Sequence, residues 1–357
     1  MDIGIITLHF PLNYGAVLQA YALNNYLNAA GYEAYTIDYK TEIKQRKTIK
    51  NTIVRLFSVF RKKKLAVRGN RFHEFVNTRI RLSKRIASKE ELSKLNYGKY
   101  ICGSDQIWNP LGRGRDDAYF LSFVHEPEKK IAYAPSIGVS SLPDCEKEYL
   151  KRVIDTFSCI SVREEEGKRL LGAITDKEIS VVCDPVFLLS KESWQSLMKP
   201  VGCGKKYILL YFLHNAGELT KKAVEFARRN DYEVITVGTS IREVGLRCRK
   251  RFDAGPIEFI SLINEAEMIF TNSFHGTAMS IILQKNFAVS PIGADINGSS
   301  NSRINTLLEK TGLTERNIYY NSFEKLIEKS IDYSDVSKKL NPFIEYSKSY
   351  LKQSLGK

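Results

Sequence analysis

Short apolar runs recur along the chain, each followed by a longer stretch in which apolar residues return every three or four positions. IGIITL (Ile3–Leu8) reads as a strand buried on both faces, and a turn at Pro11–Gly15 follows. AVLQAYALNNYLNAAG then reads as a helix closed by Gly31. EAYTIDY is the next strand, so the chain opens as a β-α-β unit with parallel pairing and a right-handed crossover. After a basic stretch, KYICGSD, KKIAYAPSIG, CISVRE and SVVCDPVFLL read as strands, with a helix near Cys145–Thr156. Lys191–Lys206, with Pro200, Gly202 and Gly204, reads as a linker. A second series follows: strands KYILLYFL, EVITVG, EMIF and NFAVSPI, and helices GELTKKAVEFARRN, Pro256–Glu265 and one from Thr277.

The pattern predicts an α/β protein of two doubly wound, Rossmann-like domains with a cleft between them. The expected limits are residues 1–195, including a basic helical segment at 40–85, then 205–320, then a helical tail at 321–357 that packs back across the domains. A length of 357 residues suits two cores of that size. No apolar run approaches the roughly 18–20 residues that cross a bilayer. The first ten residues carry no basic region and no small-residue cleavage site, so a secretory signal is not expected. The six cysteines (Cys102, Cys145, Cys159, Cys183, Cys203, Cys248) are scattered, without metal-site spacing, which suits a reducing cytoplasm and no metal.

The net charge of +14 changes the picture because of where it sits. Lys40–Arg85 holds 16 Lys and Arg against two acids, and 16 − 2 equals the whole excess of 54 − 40. Within it TIKNTIVRLFSVFRKKKLAVR interleaves apolar and basic residues. That suits an amphipathic helix on an anionic membrane surface, or a solvated helix covering the first domain. No recognition motif accompanies the charge, so nucleic acid is not expected.

Ligands of open α/β sheets bind beyond the carboxyl ends of the strands. Those ends read Asn13-Tyr14-Gly15, Gly103-Ser104-Asp105-Gln106, Ser136-Ile137-Gly138, Arg163-Glu164, Asp184-Pro185 and Asn272-Ser273-Phe274-His275. The first could be only a turn, and Asp184-Pro185 reads as a strand terminator. The acids from Glu164 to Glu166 match a helix dipole. Arg163, a cation at the same helix start, calls for a ligand or a carboxylate beside it. His275 reads as a helix-start imidazole, with backbone donors at Gly276 and Thr277 that suit an anion. Walker A, G-x-G-x-x-G and G-x-S-x-G patterns are absent, and Gly112-Arg113-Gly114-Arg115 reads as a surface loop.

In this order, ITLHFPLNYGAVLQAYALNNYL, YICGSDQIWN, SVREEEG, CDPVFLL and NSFHGTAMSIILQ resemble the polysaccharide pyruvyl transferase family, from Met1 to about Gly312. The resemblance implies a fold like that of the B-type (GT-B) glycosyltransferases, and no metal or organic cofactor. It implies transfer of a pyruvyl group from phosphoenolpyruvate (PEP) to two hydroxyls of one sugar of a surface polysaccharide or its lipid-linked precursor. The family's arginine falls on Arg163 and its histidine on His275. One position departs: many members carry Arg where this chain has Ser273, and Arg303, or failing that Lys285, is the expected replacement.

On this reading the second domain is the donor side, and the donor is held by Arg163 of the first domain with Ser273, His275, Gly276, Thr277 and Arg303 of the second. The first takes the acceptor, through Asn13, Tyr14, Gly15, Asp105, Gln106 and Trp108. His275, Arg163 and Asp105 are the expected catalytic residues, although Asp105 could serve only to hold its loop. Two rivals stand beside it. One is a nucleotide-sugar glycosyltransferase using Glu258 or Glu265 on a ribose; the other is a non-catalytic glycan-assembly protein.

Overall fold

The computed structural model describes residues 1–40, 58–111, 116–238, 248–293, 296 and 298–356. Within them the apolar runs form two sheets. The first contains β1 (Asp2–Ile6), β2 (Glu33–Tyr39), β3 (Leu82–Ile86), β4 (Lys99–Cys102), β5 (Lys130–Ala132), β6 (Cys159–Val162) and β7 (Ile179–Val181). Its order is β3-β2-β1-β4-β5-β6-β7. The second contains β8 (Tyr207–Tyr211), β9 (Glu233–Val237), β10 (Arg249–Arg251), β11 (Met268–Thr271) and β12 (Phe287–Val289), in the order β10-β9-β8-β11-β12. Every pairing is parallel, with Ile5 opposite Ile101 and Leu210 opposite Phe270. Both sheets are doubly wound, and each reverses its winding once, between β1 and β4 and between β8 and β11.

Three boundaries differ from the sequence reading, each for a local reason. SVVCDPVFLL is not one strand: β7 stops at Val181, and Asp184 caps a 3₁₀ turn over Pro185–Leu188 by accepting from Val186 N. The helix expected from Thr277 begins at Phe274, because the Ser273 side chain caps it. LSKRI, counted within the basic segment, is the half-exposed edge strand β3, whose polar side chains hid it.

The two halves share one apolar core. The helix Tyr14–Ala29 is buried from Tyr14 through Asn24 and again at Leu27, so it has almost no solvent face. Its Tyr14 stacks on Phe259 of the second domain with ring centres 4.3 Å apart, and the hydroxyl donates to Ala254 O at 2.7 Å. Phe72 and Phe75 of the basic helix Ser58–Arg79 enter the same cluster. From that helix Arg71 pairs with Asp253 (3.2 Å) and Glu258 (3.3 Å) across the domain boundary. The C-terminal half of this helix thus turns Phe72 and Phe75 into the protein. Residues 41–57, with the first ten residues of the interleaved stretch, and Gly112–Arg115 lie outside the described residues.

The tail helix Tyr333–Ser354 returns to the first sheet. Cys183 N donates to Ser347 Oγ at 2.9 Å, and the Tyr350 hydroxyl donates to Ala132 O at 3.0 Å. No helix among the described residues is long and apolar enough to cross a membrane. Because Tyr14 holds a buried carbonyl of the other domain, Tyr14→Phe leaves that acceptor unpaired. We expect a loss of about 1–3 kcal/mol, read as a lower urea midpoint with unchanged far-UV circular dichroism.

Candidate functional site

The two points where the sheets reverse face each other, and residues from both line one cleft of about 320 Å³. From the first sheet come Asn13, Asp105, Gln106, Asn109 and Gly138; from the second domain come Leu213, His214, Asn272–His275 and Arg303. Each rim is pinned by its own polar side chains. Thr7 Oγ1 donates to Ser104 O at 2.9 Å, joining the ends of β1 and β4, and Gln19 Nε2 donates to Thr7 Oγ1 at 2.9 Å. Asn272 does the same for β8 and β11, accepting from Leu213 N at 2.8 Å and donating to His214 O at 2.9 Å.

Behind the cleft lies a buried charge cluster centred on Asp184. Its Oδ2 accepts from Arg163 Nη1 at 2.6 Å and from Ser104 Oγ at 3.0 Å. The same oxygen is 3.5 Å from His275 Nε2, an ion-pair distance at the outer edge of hydrogen-bond reach. Burial raises the cost of ionising Asp184, yet His275 and then Arg163 outweigh it and hold the carboxyl well below its usual range. Asp184 is therefore more than a strand terminator. The pattern in the sequence that could have found it is an acid just past β7 beside an arginine just past the neighbouring β6.

Arg163 meets the carboxylate alternative of its sequence reading. It is 3% exposed, its guanidinium lies 4.4 Å from the centre of the Phe274 ring, and it does not line the cleft. Burial opposes its charge, but Asp184, Glu164 and Asp105 keep it firmly protonated. Glu164, read as a dipole-matching acid, instead turns inward. Its Oε1 accepts from Ser136 Oγ and Ile137 N, both at 2.9 Å, and from Gly138 N at 3.3 Å.

His275 is 7% exposed and stands in the cleft wall. Its other ring face meets Gly15: a Cβ there would lie 2.0 Å from His275 Nδ1. Gly15 is therefore a spacer that admits the imidazole, where the sequence reading made it an acceptor contact. The expected anion site at Gly276 and Thr277 is already filled by protein. Gly276 N donates to Ser273 Oγ at 3.3 Å and Thr277 N to Ser273 O at 2.9 Å. Ser273, lying in the cleft wall, acts as a helix cap, the role its small hydroxyl suits.

Two proposed sugar platforms belong to the core. Trp108 is 1% exposed, stacks on Phe120 and donates from Nε1 to Tyr119 O at 3.1 Å. Tyr14 is the interdomain contact described above. Asn13 lines the cleft while capping the helix Tyr14–Ala29, its side chain accepting from Ala16 N at 3.3 Å. Asp105 also does two things. It faces the cleft, and its Oδ1 accepts from Gln106 N at 2.8 Å, holding a backbone with φ of 78°. A non-glycine residue in that region stores strain, a common mark of functional loops.

Arg303 does reach the cleft, and Lys285 does not line it. With the Gln106 amide oxygen turned toward it, Gln106 accepts from Nη1 at 2.9 Å and Nη2 at 2.6 Å. Among the described residues Arg303 has no carboxylate partner, and its Nε has no hydrogen bond. Burial, then repulsion from Arg163, pushes its guanidinium down to about 10.

Two outcomes follow. Asp184→Asn strands a buried guanidinium and should cost about 3–5 kcal/mol at neutral pH, measured by urea denaturation. Because the folded-state carboxyl is held low, its contribution is present above about pH 4 and is lost as pH falls below that. The gap between wild type and Asp184→Asn should therefore narrow from pH 7 to pH 3. Gly15→Ala should destabilise by about 1–3 kcal/mol through overpacking. Combining it with His275→Ala should recover most of that loss in thermal melts, and independent, additive effects would contradict the contact.

Among solved structures, the fold is similar to AviGT4, a glycosyltransferase involved in avilamycin A biosynthesis. The TM-score is 0.51 at 9% identity, over 99% of this chain and 97% of that one. It is also similar to a UDP-N-acetylglucosamine 2-epimerase, with a TM-score of 0.50 at 12% identity over 99% and 95% of the two chains. At such identities these likenesses show the fold alone, which is the GT-B arrangement. No curated protein matches the sequence. The family described as polysaccharide pyruvyl transferase matches residues 13–290, the span that holds β2 through β12 and all the cleft residues except Ile292, Arg303 and Ile304. The chain belongs to the polysaccharide pyruvyl transferase family.

Proposed function

We propose that this protein transfers the pyruvyl group of PEP to two hydroxyls of one sugar, releasing phosphate and leaving a cyclic ketal. The carrying observation is Arg303, a largely buried guanidinium without a carboxylate partner among the described residues, set in the same cleft as His275. A donor bearing a carboxylate and a phosphate supplies the missing negative charge, and a planar guanidinium can grip either group through two hydrogen bonds. Arg303 thereby takes over the cationic role that Ser273 does not fill. Arg163 contributes positive potential from behind the wall and holds Asp184, which in turn orients His275.

Ketal formation adds a proton to the methylene carbon of PEP, making it a methyl group. The adjacent carbon then accepts one sugar hydroxyl, loses phosphate by cleavage of its C–O bond, and accepts the second hydroxyl. Of the two hydroxyl protons released, one replaces the proton consumed and the other leaves with phosphate. His275 is assigned the proton transfers, and Asp105 the first acceptor hydroxyl. Asn13 and Gln106 are placed to orient the sugar. No metal or organic cofactor is required by these steps.

A sugar built on a lipid carrier at the cytoplasmic face suits this reading, as do six cysteines that form no disulfide among the described residues. The nucleotide-sugar alternative lacks its expected ribose contacts. Glu258 accepts from Gly255 N at 2.9 Å and pairs with Arg71, and Glu265 accepts from Val201 N at 3.0 Å. A non-catalytic role gives no reason to set Arg303, without a carboxylate partner among the described residues, in the same cleft as His275.

Calorimetric titration with PEP, beside UDP-sugars and CMP-sugars, tests the reading. Saturable PEP binding is expected, weakened about tenfold or more in Arg303→Gln, since a charged hydrogen bond is worth roughly 1.5–3 kcal/mol. His275→Asn should keep PEP affinity within a few-fold while lowering turnover about 10²–10⁴-fold. Binding of a nucleotide sugar but not PEP would overturn it.

A further inference from the structure

The interdomain cleft does not end at Asn13 and Leu213. Both residues also line a second cavity of about 290 Å³, walled by Tyr14, Arg68, Tyr211 and Phe212. Arg68 comes from the basic helix Ser58–Arg79 and is 6% exposed. Its guanidinium carbon lies 5.0 Å from the centre of the Tyr14 ring and 5.1 Å from that of Phe72. Nη2 donates to Leu12 O at 2.8 Å, while Nε has no hydrogen-bond partner among the described residues.

Its neighbour on the helix gives the contrast. Arg71, three residues on, is neutralised by Asp253 and Glu258. Arg68 has no carboxylate partner among the described residues, although it is the more buried of the two. Burying an uncompensated charge is costly. One packed over two adjacent rings and lining a cavity is suited to receive an anion.

We propose that the Arg68 cavity binds a phosphate or diphosphate group of the acceptor, next to the cleft in which the sugar meets PEP. This rests on the pyruvyl-transfer reading, because it needs a separate donor at Arg303 and His275. The aromatic walls at Tyr14, Tyr211 and Phe212 leave the guanidinium as the main polar recognition element, suited to a phosphate fork. The positive charge of residues 58–79 thus serves a second purpose beyond joining the domains: it marks where an anionic carrier group enters.

The test titrates inorganic pyrophosphate into the full chain saturated with PEP, by calorimetry. Wild type should bind it, Arg68→Gln should bind at least tenfold more weakly with PEP affinity unchanged, and Arg303→Gln should show the opposite pattern. Leu12→Glu is a second variant, at a residue 46% exposed that lines the same cavity. It brings a carboxylate to Arg68 without touching the core and should also weaken pyrophosphate at least tenfold, so an unfolded Arg68→Gln would not spoil the test. Equal binding by wild type, Arg68→Gln and Leu12→Glu, or competition between pyrophosphate and PEP for one site, would overturn the proposal. So would absence of pyrophosphate binding to wild type. If PEP itself fails to bind, the donor reading falls. The same variants titrated without PEP then still report whether Arg68 holds a phosphate anion.

Discussion

One carboxylate oxygen ties the site together. Asp184 Oδ2 meets Arg163 from the end of β6, Ser104 from the end of β4 and His275 from the first turn after β11. Three loops from two domains are thereby fixed to one buried negative charge, which neither Arg163 nor His275 could replace. Burial alone would favour a neutral acid; the two basic neighbours keep it charged. Its stability contribution and its orienting role are the same interaction, so this part of the fold cannot be altered without altering the site.

The cleft that this cluster supports is a consequence of winding. Each sheet reverses direction once, and the strand ends on either side of a reversal leave a crevice. Here the two crevices oppose each other. The distance between them is set by a close approach that a side chain would prevent, that of Gly15 to the His275 ring. A continuous apolar cluster around Tyr14, Phe72 and Phe259 then holds the halves in register.

Charge in this protein is divided by burial rather than by count. Arg71 is neutralised across the domain boundary, and Arg163 is neutralised at the hub. Arg303 and Arg68 are left with hydrogen bonds but no carboxylate among the described residues, and each faces a cavity in the interdomain cleft. On the proposals above, these two guanidinium groups, and not the chain's large positive excess as a whole, are where anions dock.

The sequence by itself determined the parallel α/β architecture and placed His275, Asp105, Gln106, Asn13 and Arg303 at or near one site. Strand periodicity, helix caps and polar residues at strand ends are local properties, readable without knowing what packs where. It could not assign Trp108 and Tyr14, whose rings look like sugar platforms in one dimension and prove to be core once Phe120 and Phe259 stack on them. It passed over Asp184, because a charge at a strand end acquires meaning only from the arginine and histidine brought to it by other strands. It offered the amides of Gly276 and Thr277 to an anion, since nothing local reveals that Ser273 already occupies them. Type and spacing are written in the chain, whereas burial and pairing are properties of contacts between segments far apart in it, and only the tertiary structure decides those.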